Sequence, residues 1–230
     1  MPHGVLTMLK LDLHIHSKYS DDGIGDPENI IKSAKKRGLD GLAITDHNTV
    51  KGGLIAEKNA PKDFIVIPGI EVSTSDGHIL GLNVRQDIPK SLSVEETVEH
   101  IKDVSGIAIV PHLFRNMSGI KIEKLKKIKN KIPAIEVFNS CSLPKTNLKM
   151  AKAAKKFNLG GTGGSDSHDL LYAGYAYTMV KRNTFNIDEI IEEINKKRTW
   201  GEGITMPLQY RRNRMIKSFK QFFQRGFKRI

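Results

Sequence analysis

The chain has 230 residues, 39% hydrophobic and 27% charged, which is enough apolar material for a substantial core and too much for a disordered polymer. A single cysteine, Cys141, excludes an internal disulfide framework and a cysteine-built zinc site. The net charge is +12, yet eight basic and no acidic residues fall in 206–230, so residues 1–205 carry only +4. The start, MPHGVLTMLKLDLHIHS, lacks the long apolar stretch of a signal peptide. No run of about eighteen apolar residues occurs, so no membrane-spanning helix is expected and the expected location is cytoplasmic.

Short apolar runs alternate with helix-like segments. Residues 9–15 read as a strand, with Leu9, Leu11 and Leu13 on one face and Asp12, His14 and His16 on the other. Pro27 opens a helix that stops at Gly38. Strands are predicted over 41–44, 64–72, 78–84, 107–110, 134–138 and 175–180. Helices are predicted over 49–59, 94–104, 122–131, 146–157 and 187–197. Gly160–Gly164 is a glycine-rich approach to Asp166-Ser167-His168. It is not GxxxxGK[ST], and glycines that let the backbone pack and turn explain it better than a phosphate loop. Alternating units with short connections predict an α/β protein with a largely parallel sheet, closed into a barrel. Functional groups of such barrels gather where strands end and loops begin.

Polar residues cluster at those places. The first run ends in His14 and His16, two apart and so pointing to one side of a strand. Then come Asp46 and His47, Glu71, His78 before the next run, His112, Glu136, and the second spacing-two pair Asp166 and His168. Six of eight histidines sit in this series; only His3 and His100 do not. A lone strand-end histidine is more often a structural hydrogen-bonding residue than a ligand. The joint pattern reads as metal binding, because imidazole and carboxylate donors suit zinc, manganese and iron, and burying so many polar groups unpaired is costly. The donors are too many for one tetrahedral ion and suit two or three. Cys141 has no base partner in sequence and reads as a packed small residue.

The segments LDLHIHSKYSDDG, LAITDHNTVKGG, GIEVSTSDGHILGL, PHLFR and GGSDSH resemble the motifs of the polymerase and histidinol phosphatase (PHP) superfamily, over roughly residues 8–200. The resemblance implies a distorted (β/α)7 TIM-like barrel and metal-dependent phosphoester hydrolysis. It also implies a ligand set. His14, His16, Glu71 and Asp166 would hold a first ion, and Glu71 would bridge to a second held by His78 and His112. Asp21, or its neighbour Asp22, would hold a third with His47 and His168. The sequence departs from the family at the fifth motif, where Pro111 precedes His112 and Leu113 follows.

The expected chemistry is attack on phosphorus by water that the ions acidify. His168 or Asp46 would protonate the leaving group, or Asp46 would orient His47. Arg115 is the candidate phosphate clamp, set against the alternative of a solvated loop arginine. The expected substrate is a nucleotide, an oligonucleotide end or a small phosphorylated metabolite. Histidinol phosphate and a non-catalytic nucleic-acid-binding subunit are the alternatives. Residues 1–205 would form the catalytic domain and 206–230 a basic amphipathic extension. In that extension Met215, Ile216, Phe219, Phe222, Phe223, Phe227 and Ile230 recur at helical steps among Arg and Lys. Its apolar stripe would dock on the barrel, or its basic face would contact RNA, DNA or an anionic membrane. Oligomeric state is not legible.

Overall fold

The computed structural model describes residues 8–181 and 186–224, the side chains of 218, 219, 221, 222 and 224 excepted. The elements follow in order: β1 (Met8–Ile15), α1 (Pro27–Lys36), β2 (Gly41–Ile44), α2 (Lys51–Lys58), β3 (Ile65–Ser73), β4 (His78–Leu82), α3 (Val94–Asp103) and β5 (Ile107–Val110). After these come α4 (Ile122–Ile128), β6 (Ala134–Asn139), α5 (Pro144–Phe157), β7 (Gly160–Gly164), β8 (Ala176–Lys181), α6 (Ile187–Asn195), β9 (Trp200–Gly203) and α7 (Leu208–Gln224). Helix starts follow local chemistry. Pro27 and Pro144 occupy first-turn positions where no amide donor is needed, and Ser93 and Glu96 form a reciprocal capping box on α3.

The nine strands form one sheet in the order β7-β6-β5-β4-β3-β2-β1-β8-β9. Neighbours β1–β2–β3 and β5–β6–β7 are parallel, while β4 and β8 run against their neighbours. The ends meet, which makes the sheet a nearly closed barrel, as expected. Just beyond β7, the Asp166 amide donates to the His14 carbonyl (2.7 Å) and the His16 amide to the Ser167 carbonyl (2.8 Å). Glycines make this closure possible. A Cβ on Gly164 would collide with the Cβ of His14, and one on Gly163 with the Tyr177 carbonyl. The Gly-Gly-Thr-Gly-Gly stretch is therefore a strand, where the sequence suggested only a packed turn. The strand β9 was not expected at all.

One apolar cluster joins Leu9, Leu11, Leu13, Ile67, Leu82 and Ile109 to Ile190, Ile191 and Ile194 of α6. β8 ends opposite Met8, so α6, which follows it, lies at the end of the barrel where β1 begins. A second layer packs Ile15, Leu42 and Ile44 against Ile30, Ile31 and Ala34 of α1. Leu13 and His14 thus both leave β1 toward the interior while Ile15 turns outward. The cause is an extra residue in β1, where Asp12 to Ile15 spans the same length as Leu42 to Ile44 of β2. The simple alternation read from sequence is corrected here. Asp12 does not share a face with His14 and His16; its carboxylate accepts instead from the amides of Ser165 and Gly174 (both 2.8 Å).

Candidate metal centre

The C-terminal ends of the parallel strands bring the expected donors together. His14 and His16 leave the end of β1, His47 the loop after β2, His112 the loop after β5, and Asp166 and His168 the loop after β7. Glu71 stands on β3, and His78 opens β4, opposite Ser73. Because β4 runs the other way, its first residue lies where the other strands finish. That is why His78 precedes its apolar run in the sequence.

Glu71 is the hub. Its Oε1 lies 2.9 Å from both His78 Nδ1 and His112 Nε2. Its Oε2 lies 3.2 Å from His16 Nε2, 3.3 Å from His47 Nδ1 and 3.4 Å from His14 Nε2. Asp166 Oδ1 is 3.6 Å from His16 Nε2 and 3.8 Å from His14 Nε2, and those two nitrogens are 3.2 Å apart. Ion–donor bonds of about 2.1 Å place tetrahedral donors about 3.4 Å from one another, which is the spacing found. Four overlapping groups are close enough to share an ion: His14–His16–Asp166, His14–Glu71–His112, His47–Glu71–His78 and His16–Asp22–His47–His168. All of these residues are buried or nearly so.

Two atoms test the fit. His47 Nδ1 and His168 Nε2 are buried 3.3 Å and 2.9 Å from carboxylate oxygens, yet neither makes a hydrogen bond. Buried donors left this way are expensive unless something else occupies the lone pairs. A cation between imidazole and carboxylate resolves them. Two of the rings are oriented from behind. His14 Nδ1 faces Glu136 Oε1 (2.9 Å), and His168 Nδ1 faces the Asp166 carbonyl (3.0 Å), each leaving Nε2 toward the centre. Glu136 also accepts from the His112 amide and from Asn139 Nδ2, both 2.9 Å. His112 and Asp166 hold φ of 28° and 53°, a region that costs energy for residues with a side chain.

Protonation suits ion binding. Burial raises the carboxyls of Glu71, Asp22 and Asp166, but the groups facing them outweigh it and hold all three well below the usual range. These are the imidazoles of His78 and His47 at Glu71, those of His168 and His47 at Asp22, and the Arg115 guanidinium with His14 at Asp166. Burial pushes His112 and His168 down to about 4, with Arg115 and Arg214 adding to it. His14 is the exception: burial lowers it, but Asp166, Glu136 and Glu71 carry it well above the ordinary value.

Several expectations change. Asp21 is exposed, while Asp22 is buried with its Oδ2 2.9 Å from His168 Nε2, so the third group contains Asp22 and not Asp21. Asp46 does not orient the His47 ring and does not face the centre. Its two oxygens accept from the Ser17 amide (2.6 Å) and hydroxyl (2.7 Å). Arg115 is half-buried and paired: its Nη2 lies 2.6 Å from Asp166 Oδ2 and 3.0 Å from Asn139 Oδ1. Cys141 is packed against Met206 Sδ (3.4 Å), and burial, with Asp166 nearby, pushes its thiol up to about 12. Glu136 was visible as one of the series but its orienting role was not. Among its described side chains, the extension meets the barrel through basic residues. Arg214 Nη2 lies 3.6 Å from Asp22 Oδ2, Lys217 Nζ donates to the Asp22 carbonyl (3.2 Å), and Met215 and Ile216 are exposed. Phe227 and Ile230 lie outside the described residues, as do the side chains of Phe219 and Phe222.

A nearly closed barrel with imidazoles and carboxylates converging at its strand ends defines a metal-dependent hydrolase. The chain belongs to the PHP domain family, which matches residues 12–217. It is 41% identical over 144 residues to the uncharacterized protein MJ1587 of Methanocaldococcus jannaschii, covering 57% of this chain and 82% of that one. It is 34% identical over 120 residues to a 5'-3' exoribonuclease of Haemophilus influenzae, covering 50% of this chain and 40% of the relative. Its fold matches a two-domain protein of Bacteroides vulgatus described as containing a predicted PHP-like metal-dependent phosphoesterase. The TM-score is 0.74 at 18% identity, over 86% of this chain and 66% of that one. Among the described residues no helix is long and apolar enough to cross a membrane.

Proposed function

We propose that the chain hydrolyses a phosphoester at a centre of two or three divalent ions, zinc, manganese or iron. The substrate would be a nucleotide, an oligonucleotide end or a small phosphorylated metabolite. One observation carries the reading: Glu71 presents both oxygens to five imidazoles at 2.9–3.4 Å, a geometry in which a carboxylate bridges cations. His14, His16, Glu71 and Asp166 would hold one ion, Glu71, His78 and His112 a second, and Asp22, His47 and His168 a third. Ions held there acidify water and offset charge on the phosphoryl and leaving oxygens.

The chain's own groups supply the rest. Glu136 and the Asp166 carbonyl fix the rings of His14 and His168 so that their Nε2 lone pairs face the centre. Arg115, braced by Asp166 and Asn139, keeps donors at the edge of the centre for a phosphoryl oxygen. His168 serves as a ligand in this reading and not as the proton donor, because its only outward nitrogen faces Asp22. The name of the Haemophilus relative favours an oligonucleotide end among the substrates.

Protein purified without chelator should contain two or three ions per chain by elemental analysis. A screen of mononucleotides, short RNA and phosphorylated metabolites, with manganese and zinc supplied separately, should find hydrolysis that His14→Ala and His16→Ala abolish. An ion-free protein, or full activity in those variants, would refute the proposal.

A further inference from the structure

α7 sits on the barrel in an unusual sense. Apolar contact is what holds most surface helices to a protein body. Here Leu208, Met215 and Ile216 are 69%, 55% and 45% exposed. Among the described side chains, those that reach the barrel are polar and cationic. Tyr210 packs on the Tyr172 ring (4.1 Å), Arg211 Nη1 donates to the Ser142 carbonyl (3.1 Å), Arg214 faces Asp22, and Lys217 reaches the Asp22 carbonyl. Just before the helix, the buried Met206 anchors the chain through its amide on the Ser140 carbonyl (2.8 Å).

The contact with Asp22 gives this arrangement its meaning. Asp22 belongs to the group with His16, His47 and His168 that can share an ion. A cation there takes up the carboxylate's charge, and the Arg214 guanidinium, whose side chain is 19% exposed, then faces the mouth beside a centre of its own sign. Arg115 holds the matching position against Asp166. Cations ranged around a cationic centre are stable when anions lie between them. Arg211 and Lys217 are six residues apart, about 9 Å along a helix, with Arg214 midway. That spacing fits successive phosphates of a strand better than one compact group.

We propose that Arg214, flanked by Arg211 and Lys217, forms a second anion subsite on α7 that binds the phosphate next to the scissile one in a phosphodiester chain. α7 is then a wall of the active site and selects a strand over a monophosphate. The inference rests on the hydrolytic reading above and narrows its substrate class.

The test uses the full-length, metal-loaded chain and a 5′-phosphorylated, end-labelled phosphorothioate oligoadenylate, followed by fluorescence anisotropy. Arg214→Gln should weaken binding about tenfold, the loss of one charged hydrogen-bonding contact, and should lower the salt dependence. Its metal content should stay at the wild-type value. Arg214→Lys should recover part of the binding, and Arg212→Gln, exposed elsewhere on α7, should change nothing. Inorganic pyrophosphate should compete poorly; displacement of the strand at equal concentration would overturn the assignment to a chain. Unchanged binding in Arg214→Gln, absence of binding by the wild type, or loss of metal from the variant would each overturn the subsite. Hydrolysis with unaltered binding in Arg214→Gln sinks the subsite and leaves the catalytic reading standing. Arg214-dependent binding without hydrolysis of any phosphoester does the reverse.

Discussion

The two ends of this barrel are made by the same strands and have opposite chemistry. Where β1 begins, Leu9, Leu11, Leu82 and Ile109 meet three isoleucines of α6 in a dry core. Where β1 ends, His14 and His16 meet Glu71, Asp166 and the other imidazoles at 3–4 Å. The first end holds the fold by removing apolar surface from water. The second crowds imidazoles and carboxylates together and leaves buried nitrogens of His47 and His168 without a hydrogen bond. Stability and chemistry are therefore separable along one axis, and substitutions at the two ends should fail in different ways.

The largest effect is expected at the hub. Glu71→Gln removes the charge proposed to bridge the ions and should lower kcat/KM on the order of 10³-fold, several kcal/mol of electrostatic stabilisation. Elemental analysis should show ions lost, while circular dichroism keeps the wild-type form. At the other end, Ile194→Ala should cost about 2–5 kcal/mol in urea unfolding and leave activity per folded molecule unchanged. A loss of activity without a loss of stability there would break the division between the ends. Glu136→Gln keeps the shape but weakens the partner that orients His14. It should reduce metal affinity by about 10- to 100-fold, measured by competition with a chelator. The smallest effect concerns protons. Below its raised value His14 carries a proton that an ion must displace, whereas His112 and His168, held near 4, are neutral at pH 7. Metal binding at pH 7 should release about one proton from these three, read by calorimetry in buffers of different ionisation enthalpy. Release of three would contradict the neutral state of His112 and His168.

The donors were legible because metal chemistry restricts residue types and because they gather where apolar runs end, as His14–His16 and Asp166–His168 display. The barrel was legible for a similar reason: its buried strands are short apolar runs. The glycine strand β7 was hidden because its four glycines carry no strand propensity, and its form is imposed by what β1 and β8 leave room for. Asp21 and Asp22 cannot be told apart in sequence; burial alone separates them. The contact between α7 and the site was not legible. Its apolar residues recur at helical steps, and only the three-dimensional placement of Asp22 shows that the cationic side has a carboxylate to face.

The additional residue in β1 bears on how such a site can be lost. Pairing β1 with β2 residue for residue beyond Asp12 would set His14, not Ile15, opposite Ile44. Ile15 would then face the cavity and the two imidazoles would be delivered to the greasy layer beneath α1. The site depends on a register as much as on a composition, and a slip of one position would erase it without changing a single ligand.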